Sequence, residues 1–301
     1  MKYFKLVAVV LTILFVTSCS NDSTTPDSFG NVTLKITDAP MHYDQFKNAN
    51  VTIDKIEIGN SSDLSSFIVL RDTPMKVNLL GLVNGITQTM ASLDIPEGDY
   101  NMLRLYISTT EMVMKNGNSY SYNMGLNGFT GSGMMHNGMM LNNRNRSIDI
   151  LLEHILTVTN GSMHEYLLDI DVENSFMLNG VSYTGTGPYM MMHMNGFTFR
   201  PMMRFVNMHN AGMIYGTVYG PSGNLSDATV TLLQDGEVYT TTHTNLNGKY
   251  ALIGIPEGSY TIKVEKSGYI LNPVGNESNT GTLDITAGSK ILVDFSMIIG
   301  N

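Results

Sequence analysis

Methionine and histidine side chains recur together in the middle of the chain, at a density that a protein core does not require. Seventeen of the 23 methionines lie between Met112 and Met213. Thioether sulfur and imidazole nitrogen suit soft ions such as Cu(I) and Ag(I), and a thioether needs no deprotonation to bind. The pattern predicts a copper(I) or silver(I) site among the following residues: Met134, Met135, His136, Met139, Met140, Met190, Met192, His193, Met194 and His209.

Two other interpretations of these methionines stay open. Methionine is a flexible apolar side chain that fills irregular gaps in a core. In a strand, Met190 and Met192 point to one face and Met191 points to the other, so that half of the run can pack inside. Exposed methionines can also scavenge oxidants, since they are readily oxidised to methionine sulfoxide. They can equally form an adhesive contact surface.

Three carboxylates, Asp169, Asp171 and Glu173, alternate with apolar residues. Because successive side chains of a strand point to opposite faces, all three are expected on one face of a strand. Carboxylate oxygens of this kind bind calcium. A solvated strand face explains the same alternation, and both interpretations stay open.

Signatures of catalysis are missing from the sequence, which predicts a protein that is not an enzyme. There is no Gly-x-Ser-x-Gly nucleophile elbow, no His-Glu-x-x-His zinc motif and no phosphate-binding loop. The 15 tyrosines can stack on sugar rings, although the chain has no tryptophan for that purpose. The remaining histidines stand apart along the sequence and are interpreted as surface or rim residues: His42, His154, His164 and His243.

The N-terminal residues have the pattern of an export signal. Lys2 and Lys5 precede the apolar run Leu6–Val16. At about 1.5 Å per residue, this run is too short to cross a hydrocarbon core of about 30 Å. Two small residues and Cys19 follow this run. The sequence of Val16 to Cys19 resembles the bacterial lipobox, in which the cysteine is lipidated and becomes the mature N-terminus. An ordinary signal peptide with an incidental cysteine is the alternative.

Lipid on Cys19 implies a definite organisation. Residues 1–18 are then a signal peptide, and residues 19–30, rich in Ser and Thr, are a flexible tether. Acyl chains such as palmitate provide stable attachment to a membrane, predicted to be the outer membrane of the cell envelope, at its periplasmic face or on the cell surface. The net charge of −9 at pH 7 argues against a nucleic-acid partner, because phosphate binding needs a basic face.

Apolar and polar residues alternate along much of the chain, which predicts an all-β fold. Asn-Gly pairs at 116–117, 160–161 and 179–180 predict type I′ turns, which need positive φ at both residues. The segment Val77–Met90 is a modest helix candidate, interrupted by Gly81 and Gly85. The predicted strands are Val32–Ile36, Val51–Ile58, Tyr100–Ile107, Ile148–Leu152, Glu165–Val172, Ile214–Tyr219, Ala228–Leu233, Val238–Thr244, Tyr250–Ile253, Tyr260–Lys266 and Ile291–Met297.

A series of short motifs follows in order near the C-terminus: residues 216–218, 228–232, 244–250, 255–260 and 266–269. Their order and spacing resemble the carboxypeptidase regulatory-like module over about residues 213–299. The resemblance implies a small prealbumin-like β-sandwich, grouped with carbohydrate-binding-like folds, that serves as a structural or binding accessory. The Ile-Pro-Glu-Gly sequence of 255–258 also occurs at 95–98, which favours two sandwich units that share a turn.

A second series opens with Thr37-Asp38-Ala39-Pro40 and continues through residues 77–82, 95–105, 167–171 and 199–204. In that order the motifs resemble a family of bacterial lipoproteins, domain of unknown function 4382, over about residues 29–207. The resemblance implies an extracytoplasmic β-rich domain without an assigned activity. The predicted domains are therefore residues 31–210, with Met-rich insertions, and residues 211–301.

These features predict a non-enzymatic lipoprotein of the cell envelope with two β-sandwich-like domains. It is expected to act as a binding or structural display module, with a glycan or an envelope protein as its partner. The alternative is a Met/His-rich envelope protein that binds copper or silver. Exposed and convergent methionines favour the metal hypothesis, whereas buried or scattered methionines favour display.

Overall fold

The computed structural model describes residues 28–39, 45–124, 139–142, 147–184, 191–272 and 281–300. Most residues in these ranges lie in strands. The ranges also contain the four-residue helix α1 (Val172–Ser175) and short 3-10 turns. Within the same ranges, no helix has the length and apolar composition needed to cross a membrane. The prediction of an all-β fold is confirmed.

Two successive units make up the described chain. The strands of the N-terminal unit are β1 (Phe29–Ala39), β2 (Phe46–Asn60), β3 (Asp63–Arg71), β4 (Met75–Asn78), β5 (Gln88–Pro96), β6 (Gly98–Met114), β7 (Ser119–Asn123), β8 (Met139–Asn142), β9 (Ser147–Val158), β10 (Met163–Asp171), β11 (Phe176–Asn179), β12 (Ser182–Thr184), β13 (Met191–His193), β14 (Gly196–Phe199) and β15 (Met203–Asn207). The strands of the C-terminal unit are β16 (Ala211–Gly220), β17 (Gly223–Asn224), β18 (Thr229–Gln234), β19 (Glu237–His243), β20 (Lys249–Pro256), β21 (Gly258–Glu265), β22 (Tyr269–Leu271), β23 (Thr282–Ile285), β24 (Lys290–Leu292) and β25 (Phe295–Ile299).

Two sheets share the core of the N-terminal unit. One has the order β15-β10-β1-β5, in which β1 runs parallel to β10. The other has the order β3-β2-β6-β9-β8, with β4 beside β2 and β7 beside β6. Leu34 and Ile36 of the first sheet and Val51 and Ile53 of the second are at most 1% exposed and belong to one cluster. The alternation in the sequence therefore marks the inward face of each strand.

The C-terminal unit is a second sandwich with its own core. One sheet has the order β17-β16-β25-β22, with β20 and β24 also pairing with β16, and the other has the order β19-β18-β21-β23. Ile214, Val230, Ile262 and Phe295 are at most 1% exposed and lie in a cluster separate from that of the N-terminal unit. This arrangement fits the expected prealbumin-like sandwich.

The repeated Ile-Pro-Glu-Gly-x-Tyr sequence forms the same turn in both units. The Tyr100 hydroxyl donates to the Pro96 carbonyl oxygen at 2.9 Å, and the Tyr260 hydroxyl donates to the Pro256 carbonyl oxygen at 3.1 Å. The glycine of each turn has a φ of 158° or 152°, a conformation that other residues rarely adopt. Each tyrosine thus ties its strand to the preceding turn while its ring packs inward.

The helix predicted over Val77–Met90 is wrong. This segment comprises the end of β4, a 3-10 turn at Leu79–Gly81, and the start of β5. Asn84 and Gly85 have φ angles of 58° and 78°, which lie in the left-handed region and end any right-handed helix.

The type I′ assignment of the Asn-Gly pairs is also wrong. In the pairs at 116–117, 160–161 and 179–180, only the glycine has a positive φ, of 93°, 71° and 63°. The overlooked pair Asp235-Gly236 has φ angles of 51° and 85°. It joins β18 to β19 with Gln234 opposite Glu237, which is the two-residue hairpin that positive φ at both positions permits.

Replacing Tyr260 by phenylalanine should lower the free energy of unfolding by about 1 kcal/mol, because it removes a buried hydroxyl and leaves the Pro256 carbonyl without this donor. Urea unfolding of the purified protein measures the change. Tyr219→Phe, at a ring that is 43% exposed, is the matched control and should leave stability unchanged. Equal effects of the two substitutions would show that the hydroxyl bond contributes nothing.

Candidate functional site

The two units meet along a contact that we call the seam, formed by β10 and β15 on one side and by β19 and β20 on the other. Gly254 of β20 has a φ of 64°, and a Cβ at this position would lie 2.8 Å from Leu167 Cδ2. A side chain there would push the units apart. The apolar part of the seam consists of Leu167, Val206 and Ala211, which are buried, with Met208 and Ile253 packed against them.

The loop after β4 provides a second contact across the seam. The Thr242 hydroxyl of β19 donates to Asn84 Oδ1 at 3.1 Å. A Cβ on Gly85 would lie 3.3 Å from Ala251 Cβ of β20, which is tight contact. The backbone conformation that excludes a helix here therefore lets the loop fit against the C-terminal unit.

The charged guanidinium of Arg204 lies in the seam. Its guanidinium pairs with the carboxylate of Asp169 on the adjacent strand β10, and it lies over the Tyr239 ring with Cζ 4.4 Å from the ring centroid. Burial acts to lower the pKa of Arg204, but the Asp169 carboxylate and the Tyr239 phenol outweigh it and the pKa is raised. Because Tyr239 belongs to the C-terminal unit, the charged group contacts both units.

Asp38 lies near this ion pair at the end of β1 and is 5% exposed. Its Oδ1 accepts a hydrogen bond from the Val172 backbone at 3.3 Å, whereas its Oδ2 has no partner among the described residues. Burial, followed by the charges of Asp169 and Asp171, raises the pKa of Asp38 well above its ordinary value. The loss of water and the neighbouring negative charges thus disfavour the charged form of this carboxyl.

The expectation that Asp169, Asp171 and Glu173 share one face of a strand is wrong. β10 ends at Asp171, whose Oδ1 accepts from the Asn174 backbone at 3.0 Å and so caps α1. Glu173 lies in that helix. The side chains that could have formed a calcium site are used separately, by Arg204 for Asp169 and by the helix cap for Asp171.

A separate cleft, which we call the C-terminal cleft, lies within the C-terminal unit. It has a volume of about 670 Å³. Lys266 Nζ donates to the Asp227 carbonyl oxygen at 2.8 Å and to Asp227 Oδ2 at 3.0 Å, which fixes both groups at the rim. The lining includes Asp227, His243, Lys266, Tyr269 and Met297.

The predicted Met/His ligands are only partly within the described chain. Met192 and Met194 are 1% and 5% exposed and pack in the N-terminal core, whereas His193 between them is exposed and bonded to Thr184 Oγ1 at 2.8 Å. This placement favours the packing interpretation for those two methionines. Met139 and Met140 lie in β8, and Met140 is half-buried. The residues outside the description are Cys19, Met134, Met135, His136 and Met190.

Copper or silver binding by the predicted Met/His set therefore stays a prediction. Within the described ranges, no group of three or more His, Cys, Asp or Glu side chains is placed to hold a metal. His209, the last member of the set, is exposed in the 3-10 turn Met208–Asn210.

His164, interpreted from the sequence as a surface or rim residue, is partly exposed. It is half-buried on β10, and its Nε2 lies 3.0 Å from Ser162 Oγ. Burial, and then the charge of His209, lowers the pKa of His164. The two histidines are 45 positions apart in the sequence, and the 3-10 turn that carries His209 follows β15, the strand beside β10.

Comparison with known proteins finds two family models. The model described as "Domain of unknown function (DUF4382)" matches residues 29–191, and the model described as "Carboxypeptidase regulatory-like domain" matches residues 213–297. Neither description names a catalytic activity. No curated protein matches the chain.

Several solved structures match this chain at low TM-scores. They include the TIE protein of Bacillus anthracis (10% identity, TM-score 0.25), GBS52, the minor pilin of Streptococcus agalactiae (9%, 0.24), and the shaft pilin spaA of Lactobacillus rhamnosus GG (9%, 0.24). The alignments cover 89%, 89% and 91% of this chain and 58%, 96% and 99% of the respective structures. The chain thus spans little more than half of the Bacillus anthracis protein. At these TM-scores the similarity bears on neither function nor assembly.

Asp38→Asn should remove a pH-dependent loss of stability. Because the pKa of Asp38 in the folded state is raised above its unfolded value of about 3.9, the wild-type protein loses stability as the pH rises from about 4 through the raised pKa. The asparagine keeps the shape of the side chain without its charge. Its stability relative to wild type should therefore increase with pH.

Urea unfolding of both proteins between pH 4 and pH 8 measures this difference. Asp72→Asn, at an exposed position, is the control. A difference between Asp38→Asn and wild type that stays constant over the pH range would contradict the prediction.

Proposed function

Because this chain belongs to the family of the domain of unknown function DUF4382 and carries a carboxypeptidase regulatory-like domain after it, we propose that it is a non-enzymatic lipoprotein of the cell envelope. In this proposal, the two β-sandwich units are displayed together as one binding body. Lipid on Cys19 anchors that body in the outer membrane, and its ligand is a glycan.

The seam is the observation that supports joint display. Arg204, paired with Asp169 and covered by Tyr239, is a charged group shared by both units. The contact of a cation with the face of an aromatic ring is worth about 0.5–2 kcal/mol. Separating the units takes the Tyr239 ring away from the Arg204 guanidinium and loses this contact, so a fixed orientation of the two units is favoured.

The proposed anchor holds this body near the membrane. Ten positions separate Cys19 from Phe29, where β1 begins, and ten extended residues reach at most about 36 Å. Two or three acyl chains make the attachment stable without a membrane-spanning segment. The ligands within reach are therefore those of the envelope itself, namely glycans and other envelope proteins.

The C-terminal cleft is the place where we propose that a glycan binds. Its volume of about 670 Å³ lies within the range of small-molecule sites. The Tyr269 ring offers an apolar face for a sugar ring, and the hydroxyl groups of a sugar can bond to Asp227 and Lys266 at the rim. The Lys266–Asp227 contacts orient these two polar groups in advance.

Cys19→Ser should release the protein from membranes, because the serine hydroxyl does not take the place of the thiol in lipidation. Fractionation of producing cells into membrane and soluble material, followed by immunoblotting, measures the release. Ser20→Ala, at the neighbouring position, is the control and should remain with the membranes. If the Cys19→Ser protein still sediments with membranes after a salt wash, the anchor proposal fails.

Glycan arrays probed with the full-length protein should show binding that Tyr269→Ala weakens about tenfold or more, as expected for loss of an aromatic contact of about 1.4 kcal/mol. Tyr219→Ala, at an exposed ring outside the cleft, is the control. Tyr269 also packs against the core, so Asp227→Asn, at an exposed carboxylate, serves as a second variant. A blank array with folded wild-type protein contradicts glycan binding and leaves the anchor proposal standing.

A further inference from the structure

A second cleft, which we call the seam cleft, lies between the two units and adjoins the C-terminal cleft. It has a volume of about 500 Å³. Residues of β10, α1 and β15 line it from the N-terminal unit, and residues of β18, β19 and β21 line it from the C-terminal unit. Thr229 and Glu265 line both clefts. The two clefts therefore offer one continuous surface to an extended ligand.

The outward face of one sheet of the C-terminal unit forms the floor of this surface. In that sheet, Thr229 of β18 lies between His243 of β19 and Glu265 of β21 in antiparallel register. Two positions further along β18, Thr231 lies opposite Thr241. All five residues are partly or fully exposed, whereas the alternate residues of β18 point into the core. Threonine hydroxyls both donate and accept hydrogen bonds, so the floor can bond to the hydroxyl groups of a sugar chain.

Negative charge from both units faces the seam cleft. Glu173 of α1 and Glu265 of β21 are exposed and line it together with Asp171. Within the described ranges, neither glutamate forms an ion pair. The arginine and the lysine that line the two clefts, Arg204 and Lys266, are each paired with an aspartate. A ligand that brings positive charge to the cleft is therefore favoured.

The ion pair of Asp169 and Arg204 gives an independent indication of a polar ligand. Asp169 lines the seam cleft and is 6% exposed. Its Oδ2 pairs with Arg204, but its Oδ1 has no hydrogen-bond partner among the described residues, and neither does Arg204 Nη1. Buried donors and acceptors without partners are costly. A ligand with hydroxyl or amino groups at this wall of the cleft would satisfy them.

We propose that the seam cleft and the C-terminal cleft together bind an extended oligosaccharide that carries free amino groups. This inference rests on the proposed glycan binding and specifies its ligand. The sugar hydroxyls bond to the threonine floor, and the ammonium groups contact Glu173 and Glu265. Hydrogen bonds between an ammonium group and a carboxylate are stronger than those between neutral groups. Because the two glutamates belong to different units, the bound chain contacts both units at once.

The test compares two hexamers of β-1,4-linked glucosamine, one with free amino groups and one fully N-acetylated. Isothermal titration calorimetry of the full-length protein, at low salt and below the pKa of the amino groups, measures their affinities. The hexamer with free amino groups should bind about tenfold or more tightly than the acetylated one, since acetylation removes the charge. Added salt should weaken its binding, because both glutamates are exposed.

Variants from the two units test whether the clefts act together. Glu173→Gln and Glu265→Gln should each weaken binding of the charged hexamer about fivefold, as expected for one exposed charge contact. Neither should change the affinity for the acetylated hexamer by as much. Glu237→Gln is the matched control, since it removes the same charge from an exposed position of β19 outside both clefts, and it should leave affinity unchanged.

Three outcomes overturn the inference, and each has a different consequence for the proposed function. If both hexamers bind equally, the amino groups play no part, but glycan binding stands. If Tyr269→Ala weakens binding and Glu173→Gln does not, the ligand is confined to the C-terminal cleft, and glycan binding again stands. If neither hexamer binds, this inference fails, and the glycan array decides the proposed function separately. The comparison of the two hexamers uses the wild-type protein and so does not depend on the folding of a variant.

Discussion

A partly buried charge is stabilised by a counter-charge and by a cover that limits its contact with water, and Arg204 obtains these from different units. Asp169 supplies the carboxylate from the strand beside it, and Tyr239 supplies a ring from the other sandwich. The cost of removing a guanidinium from water is offset only when these groups are in place. The other contacts of the seam support this arrangement. Gly254 and Gly85 lack side chains where the units approach each other, and Leu167 and Val206 exclude solvent.

The strands could be predicted from sequence because their signal is local. Val51 and Ile53 alternate with polar residues, and the turn at Pro256 is followed by the tyrosine that fastens it. The seam could not be predicted in this way. Asp169 and Arg204 are 35 positions apart, and nothing in the sequence between them indicates that β10 and β15 are neighbouring strands. The expectation for the three carboxylates failed for a related reason. The strand ends at Asp171, which caps α1, so Glu173 follows the period of a helix and not that of a strand.

The histidines and methionines show that the sequence also has limits in predicting a binding site. Neighbours in a strand point to opposite faces, so a run such as Met192-His193-Met194 divides its ligands between the core and the solvent. Residues opposite one another on paired strands share a face instead, as Asp169 and Arg204 do. Clustering in the sequence is therefore a poor guide to a binding site in a sheet, and strand register is a better one. Register, however, is a property of the assembled fold.

The parallel pairing of β1 with β10 has a further consequence, for the order in which the molecule can assemble. Asp38 lies opposite Ile170, so this pairing closes a loop of more than a hundred residues, and contacts between such distant positions form slowly. A chain that emerges from its N-terminus presents β1 long before β10 exists, and β5 is the earlier partner available to it. Until β10 arrives, one edge of β1 is a row of unpaired amides and carbonyls, which is a template for association with other chains. During synthesis, the first strand of this protein therefore lacks one of its two neighbouring strands until more than half of the chain has followed.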